Sequence, residues 1–305
     1  MSSHTRATFA AAATGVLVGA AMVSTKAVSL DVAPATLAFL RYLIGITVLV
    51  VPLACARRAG FATKDAIGIA LLGVFQFAVL ILLLNYALAR LPASTCALVF
   101  ASMPIFTMCL AIVFGREKCG LTELAGVVLA VAGVAYLLSV PSSHPVPQAD
   151  VLPGYGALIC ATLTGAVTSI LYGPYLARYP VLPTCSLAMG AAVVFLAGVC
   201  GLGSQPLIPP ALTLVQWAHV GFIGLASGVG FLCWLGALAK LTPSRVAVFQ
   251  ALGPVTAAVI ELFIARQLPS ITLLISLAMV SAGLRLATRR KQLATVGPAT
   301  SIADE

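Results

Sequence analysis

Charge is what this sequence lacks most. Only 8% of its 305 residues are charged, against about 25% in ordinary soluble domains. Apolar residues make up 61%, and the mean hydropathy is +1.11. A soluble domain of this size cannot hide that much apolar surface behind a polar exterior. A soluble enzyme, a DNA-binding domain, a disordered chain and a secreted disulfide scaffold are therefore poor fits. Histidine is scarce, and neither His144 nor His219 has a companion at metal-ligand spacing, so neither a metal nor a cofactor is expected. The eight cysteines show no CxxC spacing and mostly lie in apolar runs, as small packing residues do. No GxxxxGK[ST] phosphate loop occurs. The short alternating segments of a membrane β-barrel are missing too.

What is there is a succession of apolar runs of about 20 residues, the length that crosses hydrocarbon as a helix. Helical spans are expected at Ala7–Ala27, Ala33–Cys55, Ala66–Ala89, Ala93–Gly115 and Leu121–Val140, then at Leu152–Leu176, Thr184–Gly203, Thr213–Ala239, Ser244–Ala265 and Leu268–Ala287. The first run is read as a span rather than a signal peptide, since it is long for one and has a counterpart later in the chain. Residues 7–140 form one unit, the proline-rich 141–151 an external linker, 152–288 a second unit, and 289–305 a polar cytoplasmic tail. Ten spans put both ends on one side. With the ends inside, the inner segments hold 13 of the 17 Lys and Arg, while the outer loops hold only Arg90 and Arg266. The excess of basic residues predicts cytoplasmic termini rather than a nucleic-acid partner.

Displaced by 150 residues, the sequence resembles itself. Thr14-Gly15 falls on Thr164-Gly165, Ala87-Leu88-Ala89 on Ala237-Leu238-Ala239, and Pro104 on Pro254. Between 87 and 133 there are 13 identities in 47 ungapped positions. Each unit has an odd number of spans, so the two enter the membrane in opposite senses. Inverted repeats are an architecture of secondary transporters, with the substrate near the midplane between the halves.

The stretch Lys26…Pro34…Leu37…Arg41, Asn85-Tyr86-Ala87-Leu88, Ala93-Ser94…Pro104 and Gly115-Arg116-Glu117…Gly126…Ala132-Gly133 resembles the EamA-type repeat of the drug/metabolite transporter superfamily. The second half repeats it with Trp234…Ala237-Leu238, Ser244, Pro254 and Gly283. The resemblance implies an all-α integral membrane fold of ten transmembrane helices, arranged as two inverted five-helix repeats. It also implies metabolite efflux, most often of amino acids or related compounds, across the bacterial inner membrane. Two departures stand out. Gln267 takes the place equivalent to Glu117, and Glu261 appears where the first repeat has Ala111.

An ionised side chain within the bilayer costs about 2.5–3.5 kcal/mol on insertion scales, so each one is a candidate for function. Lys26, Arg41 and Glu261 all fall in the outer half of their spans. They read either as a cluster that meets a carboxylate-bearing substrate or gates the outer side, or as a structural pair. Arginine suits carboxylates because its planar fork binds them bidentately. Glu261 reads either as a proton carrier, since burial raises a carboxyl pKa, or as one arm of a fixed salt bridge. Thr164, Thr168, Tyr172 and Tyr175 share a helix face within about 80° and are expected to face the cavity. Gln76 and Gln250 read as pocket lining or as interhelical glue. Trp234 reads as a cavity wall or a packing residue. Pro104 and Pro254 are expected in mid-helix, as hinges for alternating access.

The leading expectation is a secondary exporter of small metabolites, amino acids or related carboxylates. Its partners would be the substrate, the lipid bilayer and, through Glu261, protons; oligomeric state is left open. The alternatives are a drug or toxic-compound exporter, with Glu261 meeting a cation, and a membrane scaffold or sensor. A membrane enzyme would need a catalytic cluster, and none is evident.

Overall fold

A computed structural model describes residues 3–55, 60–113, 121–139, 148–209, 211–241, 246, 249, 252–265 and 270–288. Helices run over α1 (Ser3–Val28), α2 (Pro34–Cys55), α3 (Thr63–Gly73), α4 (Leu80–Arg90), α5 (Ala93–Phe100), α6 (Met103–Val113) and α7 (Leu121–Ser139). They continue with α8 (Gln148–Arg178), α9 (Val181–Leu202), α10 (Leu214–Leu238), α11 (Leu252–Ala265) and α12 (Ile271–Thr288). A π-helical turn, Val74–Val79, joins α3 to α4. Among the described residues there is no strand.

The segments Thr5–Val28, Thr63–Arg90, Val151–Arg178, Val181–Leu202 and Leu214–Leu238 are each long and apolar enough to cross a bilayer, and the other helices carry shorter apolar stretches. Their outward faces are as apolar as their inward ones. Phe9, Val194 and Phe263 are more than half exposed on the protein surface, where a soluble protein would place charge.

Packing follows the repeat. α1 lies against α10 and α11, while its counterpart α8 lies against α3–α4 and α5–α6. α2 packs on α10, and its counterpart α9 packs on α3. The counterparts α7 and α12 pack on each other. A Cβ built on Gly133 would meet Met279 Cβ at 2.8 Å and Ser276 O at 3.1 Å; one on Gly283 would meet Gly126 O at 2.5 Å and Ala130 Cβ at 2.7 Å. Position 133 corresponds to 283, and 126 to 276. The two contacts are thus one contact seen from each half. Contacts advance along α7 as they recede along α12, so the counterpart helices run antiparallel and the repeat is inverted.

Backbones approach closely wherever glycine permits it. Gly15 and Gly19 seat α1 against the carbonyls of Phe249 and Gly253, Gly73 seats α3 on Ala188, and Gly228 seats α10 on Gly45. Lipid tails are as apolar as leucine, so hiding apolar side chains between helices gains little. Close van der Waals contact at small residues supplies the association instead.

Pro104 is placed differently from the mid-helix expectation. α5 ends in a tight turn, where Ser102 N–H donates to Val99 O at 3.0 Å. Pro104 is then the second residue of α6. It sits in a first turn, where the missing N–H has no intrahelical partner to lose. The residues just before Leu252, which would place Pro254 within or at the start of its helix, lie outside the described residues.

Gly283→Ala is expected to push α12 off α7 and destabilise the protein by about 1–3 kcal/mol, as overpacking does. Gly198→Ala, where an added Cβ meets nothing within 4 Å, should leave the melting temperature unchanged or raise it, because alanine favours the helix. Thermal denaturation of the two detergent-solubilised variants checks the contrast.

Candidate substrate-binding site

The π turn sets the position of the site. Leu80 N–H donates to Phe75 O, five residues back, so the helix widens locally. Such turns are frequent at functional sites because they re-aim side chains. Here Gln76 and Phe77, both within the turn, line a cavity with about 700 Å³ of unfilled space, counting its open mouth.

Gln76, Phe77, Leu80, Ile81 and Leu84 line the cavity from the first half; Ala226, Ser227, Gly230, Phe231 and Trp234 line it from the second. Each is 150 residues from its mate, so the cavity lies on the axis relating the repeats. The remaining wall breaks that symmetry. Thr14, Val18 and Met22 of α1 and Arg41 and Tyr42 of α2 line it. Their equivalents Thr164, Thr168, Tyr172, Ala191 and Ala192 do not.

Most of the wall is apolar, and part of it is an aromatic run. Tyr42 meets Phe77 edge-on at 4.8 Å, Phe77 meets Phe231 at 4.3 Å, and Phe231 lies 5.3 Å from Trp234 at a shallow 30°. Edge-to-face and offset rings of this kind hold one another in place.

Arg41 is the one basic residue on the wall, and it is 8% exposed. Its Nε–H donates to Ser227 Oγ, which in turn donates to Ile223 O at 2.6 Å. The guanidinium also lies 5.8 Å from the centre of the Tyr42 ring. Arginine carries five N–H donors, and only the Nε one has an acceptor among the described residues. Among the described residues both terminal NH₂ groups stand without an acceptor, and no carboxylate forms an ion pair with them. A buried guanidinium in that state favours an anion.

The structure separates Arg41 from the other two charges expected to join it. Lys26 Nζ donates to Ala89 O at 3.3 Å, in the last turn of α4, and Glu261 Oε1 accepts from Ala93 N–H at 3.1 Å, at the start of α5. A cation thus meets a helix C-terminus and an anion a helix N-terminus, each matched to the local dipole. Together they clamp the turn at Leu91-Pro92, one helical turn along α1 from the cavity residue Met22.

The polar stripe on α8 is also corrected: none of its four members lines the cavity. Thr164 Oγ1 bonds back to Cys160 O at 2.8 Å. Thr168 Oγ1 donates to Gln76 Oε1 and so fixes that amide from behind. Tyr172 is fully buried, its ring 6.3 Å from Phe231 and 6.4 Å from Trp234, so it backs the aromatic wall. Tyr175 packs over Gly68, with the Arg178 guanidinium 5.7 Å from its ring. Helical spacing shows that the four share a face, but Thr168 and Tyr175 meet α3–α4 and Tyr172 meets α10 rather than open space. Gln250 lies outside the described residues. Gln76 and Trp234 do line the cavity. Sequence reasoning missed Thr14, Tyr42, Ser227 and Phe231. Only Thr14 carried a signal, through the Thr-Gly pair shared by the repeats.

Two junctions related by the repeat are tied by acids. At the start of α3, Asp65 accepts from Arg178 Nη1 at 2.9 Å and from Tyr179 Oη at 2.7 Å. At the start of α10, Gln216 Nε2 donates to Asp31 at 2.7 Å, while Gln216 and Thr213 form a reciprocal capping box.

An all-helical membrane fold built as an inverted repeat, with a cavity on its axis, defines a membrane transporter of small molecules. The chain belongs to the EamA-like transporter family, whose model matches residues 5–139 and again 152–289. A curated relative from Streptantibioticus cattleyicolor, named a probable terminal-alkyne amino-acid exporter, is 30% identical over 232 residues, or 74% of each chain. An uncharacterized transporter from Archaeoglobus fulgidus is 27% identical over 73% of this chain and 76% of its own. A solved crystal structure superposes with a TM-score of 0.69 over 93% of this chain and 97% of that one. At 20% identity it shows a shared fold.

Glu261→Ala should destabilise the protein by about 0.5–2 kcal/mol, the range for losing a helix N-cap. Glu261→Gln keeps the acceptor for Ala93 N–H and should recover most of that loss. Thermal melts of the two variants check this, and equal losses would mean that the charge, not the hydrogen bond, holds the turn.

Proposed function

We propose that this chain is a secondary exporter that moves small carboxylate-bearing metabolites, amino acids or related compounds, out of the cell by alternating access. It does so across the bacterial inner membrane, as ten spans with both termini in the cytoplasm. The observation that carries this reading is Arg41. It is buried, it lines the cavity on the repeat axis, and its terminal NH₂ groups have no acceptor among the described residues. A carboxylate offers the two-oxygen geometry that fits them. The distribution of Lys and Arg supports the orientation. The name of the Streptantibioticus relative supports both export and a carboxylate cargo.

In this mechanism the substrate carboxylate docks on Arg41, whose orientation is set by Ser227, and its body lies against Phe77, Phe231 and Trp234. The two halves then exchange conformations around the axis. With no nucleotide-binding loop in the sequence, a gradient drives the cycle, either the substrate's own or one of protons through Glu261.

Burying a cation without a counter-charge is costly, and replacing it with an apolar residue of similar volume is often neutral or stabilising. Arg41→Met is therefore expected to leave the melting temperature unchanged or raised, while efflux falls by about 10- to 100-fold, the worth of a charge-assisted hydrogen bond. Metabolite profiling of the medium around cells expressing either chain at matched membrane level measures it. Unchanged efflux with Arg41→Met sinks the reading.

A further inference from the structure

The inference concerns the net charge of the substrate and rests on the function just proposed. The chain has eight acidic residues. Asp65, Glu123 and Asp150 lie in the first turns of their helices, Asp31 lies in the turn after α1, and Glu117, Asp304 and Glu305 lie outside the described residues in segments read as polar loop and tail. Glu261 alone sits well inside an apolar helix, and its carboxylate holds Ala93 N–H. No carboxylate lines the cavity among the described residues, whereas a guanidinium does.

An amino acid brings two charges. Its carboxylate finds Arg41, but its ammonium must also leave water. The acceptors on the wall are neutral: Gln76 Oε1 receives Thr168 Oγ1, and the Thr14 hydroxyl donates toward Ala10 O at 2.9 Å and Gly230 O at 3.2 Å. The aromatic rings pack against one another and carry no formal charge. The cavity offers an ammonium no counter-charge, and it offers an amide or a plain hydrocarbon an apolar wall.

We infer that the cavity selects net monoanionic carboxylates with an apolar body, in which the amine of an amino acid is acylated or absent, over the zwitterionic amino acid. The charge then balances inside the cavity: one guanidinium, one carboxylate. A corollary is that the reaction supplying the substrate is an N-acylation or a deamination.

The sequence contains two tryptophans, and Trp234 lines the cavity. In a Trp217→Phe background, Trp234 emission therefore reports the cavity alone. The purified full-length protein is titrated at pH 7 with N-acetylphenylalanine, phenylalanine, phenethylamine and acetate. N-acetylphenylalanine should bind about tenfold or more tighter than phenylalanine, given the cost of an uncompensated charge. Phenethylamine and acetate should bind weakest, lacking the anion or the apolar body. Gln76→Glu, which adds a carboxylate to the wall, should narrow or reverse the preference. Phenylalanine binding as tightly as its acetylated form overturns the inference and leaves the carboxylate exporter standing. Loss of response to every carboxylate, in protein that melts normally, overturns both.

Discussion

Everything in this molecule depends on backbones coming close enough to touch. In lipid, two apolar helices gain little by hiding their side chains from one another, so contact must come from van der Waals packing at short range. The seams of the structure are accordingly drawn by glycine: 15 and 19 on α1, 45 on α2, 73 on α3, 228 on α10, and the mates 133 and 283. Each removes a side chain where a backbone carbonyl or a neighbouring Cβ would otherwise collide. The cavity is what remains where the seams stop. On the axis itself Gly230 of α10 and Leu80 of α4 stand at equivalent positions, and the larger residues Phe77, Phe231 and Trp234 form a wall instead of a seam.

The repeat supplies two copies of every position, and the cavity takes its character from where the copies differ. Arg41 faces the cavity while its mate Ala191 does not, and α1 lines the cavity while α8 is drawn against α3–α4 through Thr168 and Gln76. A symmetric pair of arginines would have placed two like charges in one low-dielectric space. A single one leaves a site with a defined polarity. The polarity of the cavity thus comes from a departure from the symmetry that built the scaffold.

Much of the scaffold was legible in the sequence because it is written in long-range patterns. α1 runs Ser3–Val28 where Ala7–Ala27 was expected, and α9 runs Val181–Leu202 where Thr184–Gly203 was expected. Apolar length sets these limits, and length survives any packing. Arg41 and Trp234 stood out by rarity of type. What stayed hidden depends on neighbours. The face of α8 holding Thr164, Thr168 and Tyr172 was found correctly as a face, but periodicity within one helix does not name the helix opposite. Lys26 and Glu261 were grouped with Arg41 by depth alone, yet the turn between α4 and α5 claims them through two backbone atoms. Ser227 was one serine in a small-residue stretch, without meaning until Arg41 lay beside it. Pro104 reads as mid-helix in the sequence because the break at Ala101–Ser102 carries no glycine or proline of its own.

The π turn has a consequence for how such a cavity changes over generations. A turn that holds one residue more than an α-helix needs can lose it and close back to regular geometry. The flanking halves, α3 with its seat on Ala188 and α4 with its contacts to α8, would keep their present neighbours. Only the side chains between Val74 and Val79 would turn to new directions. A one-codon deletion there would redraw the cavity wall while leaving the load path of the bundle intact. In this chain cavity lining and architecture are thus inherited through separable stretches of the same helix.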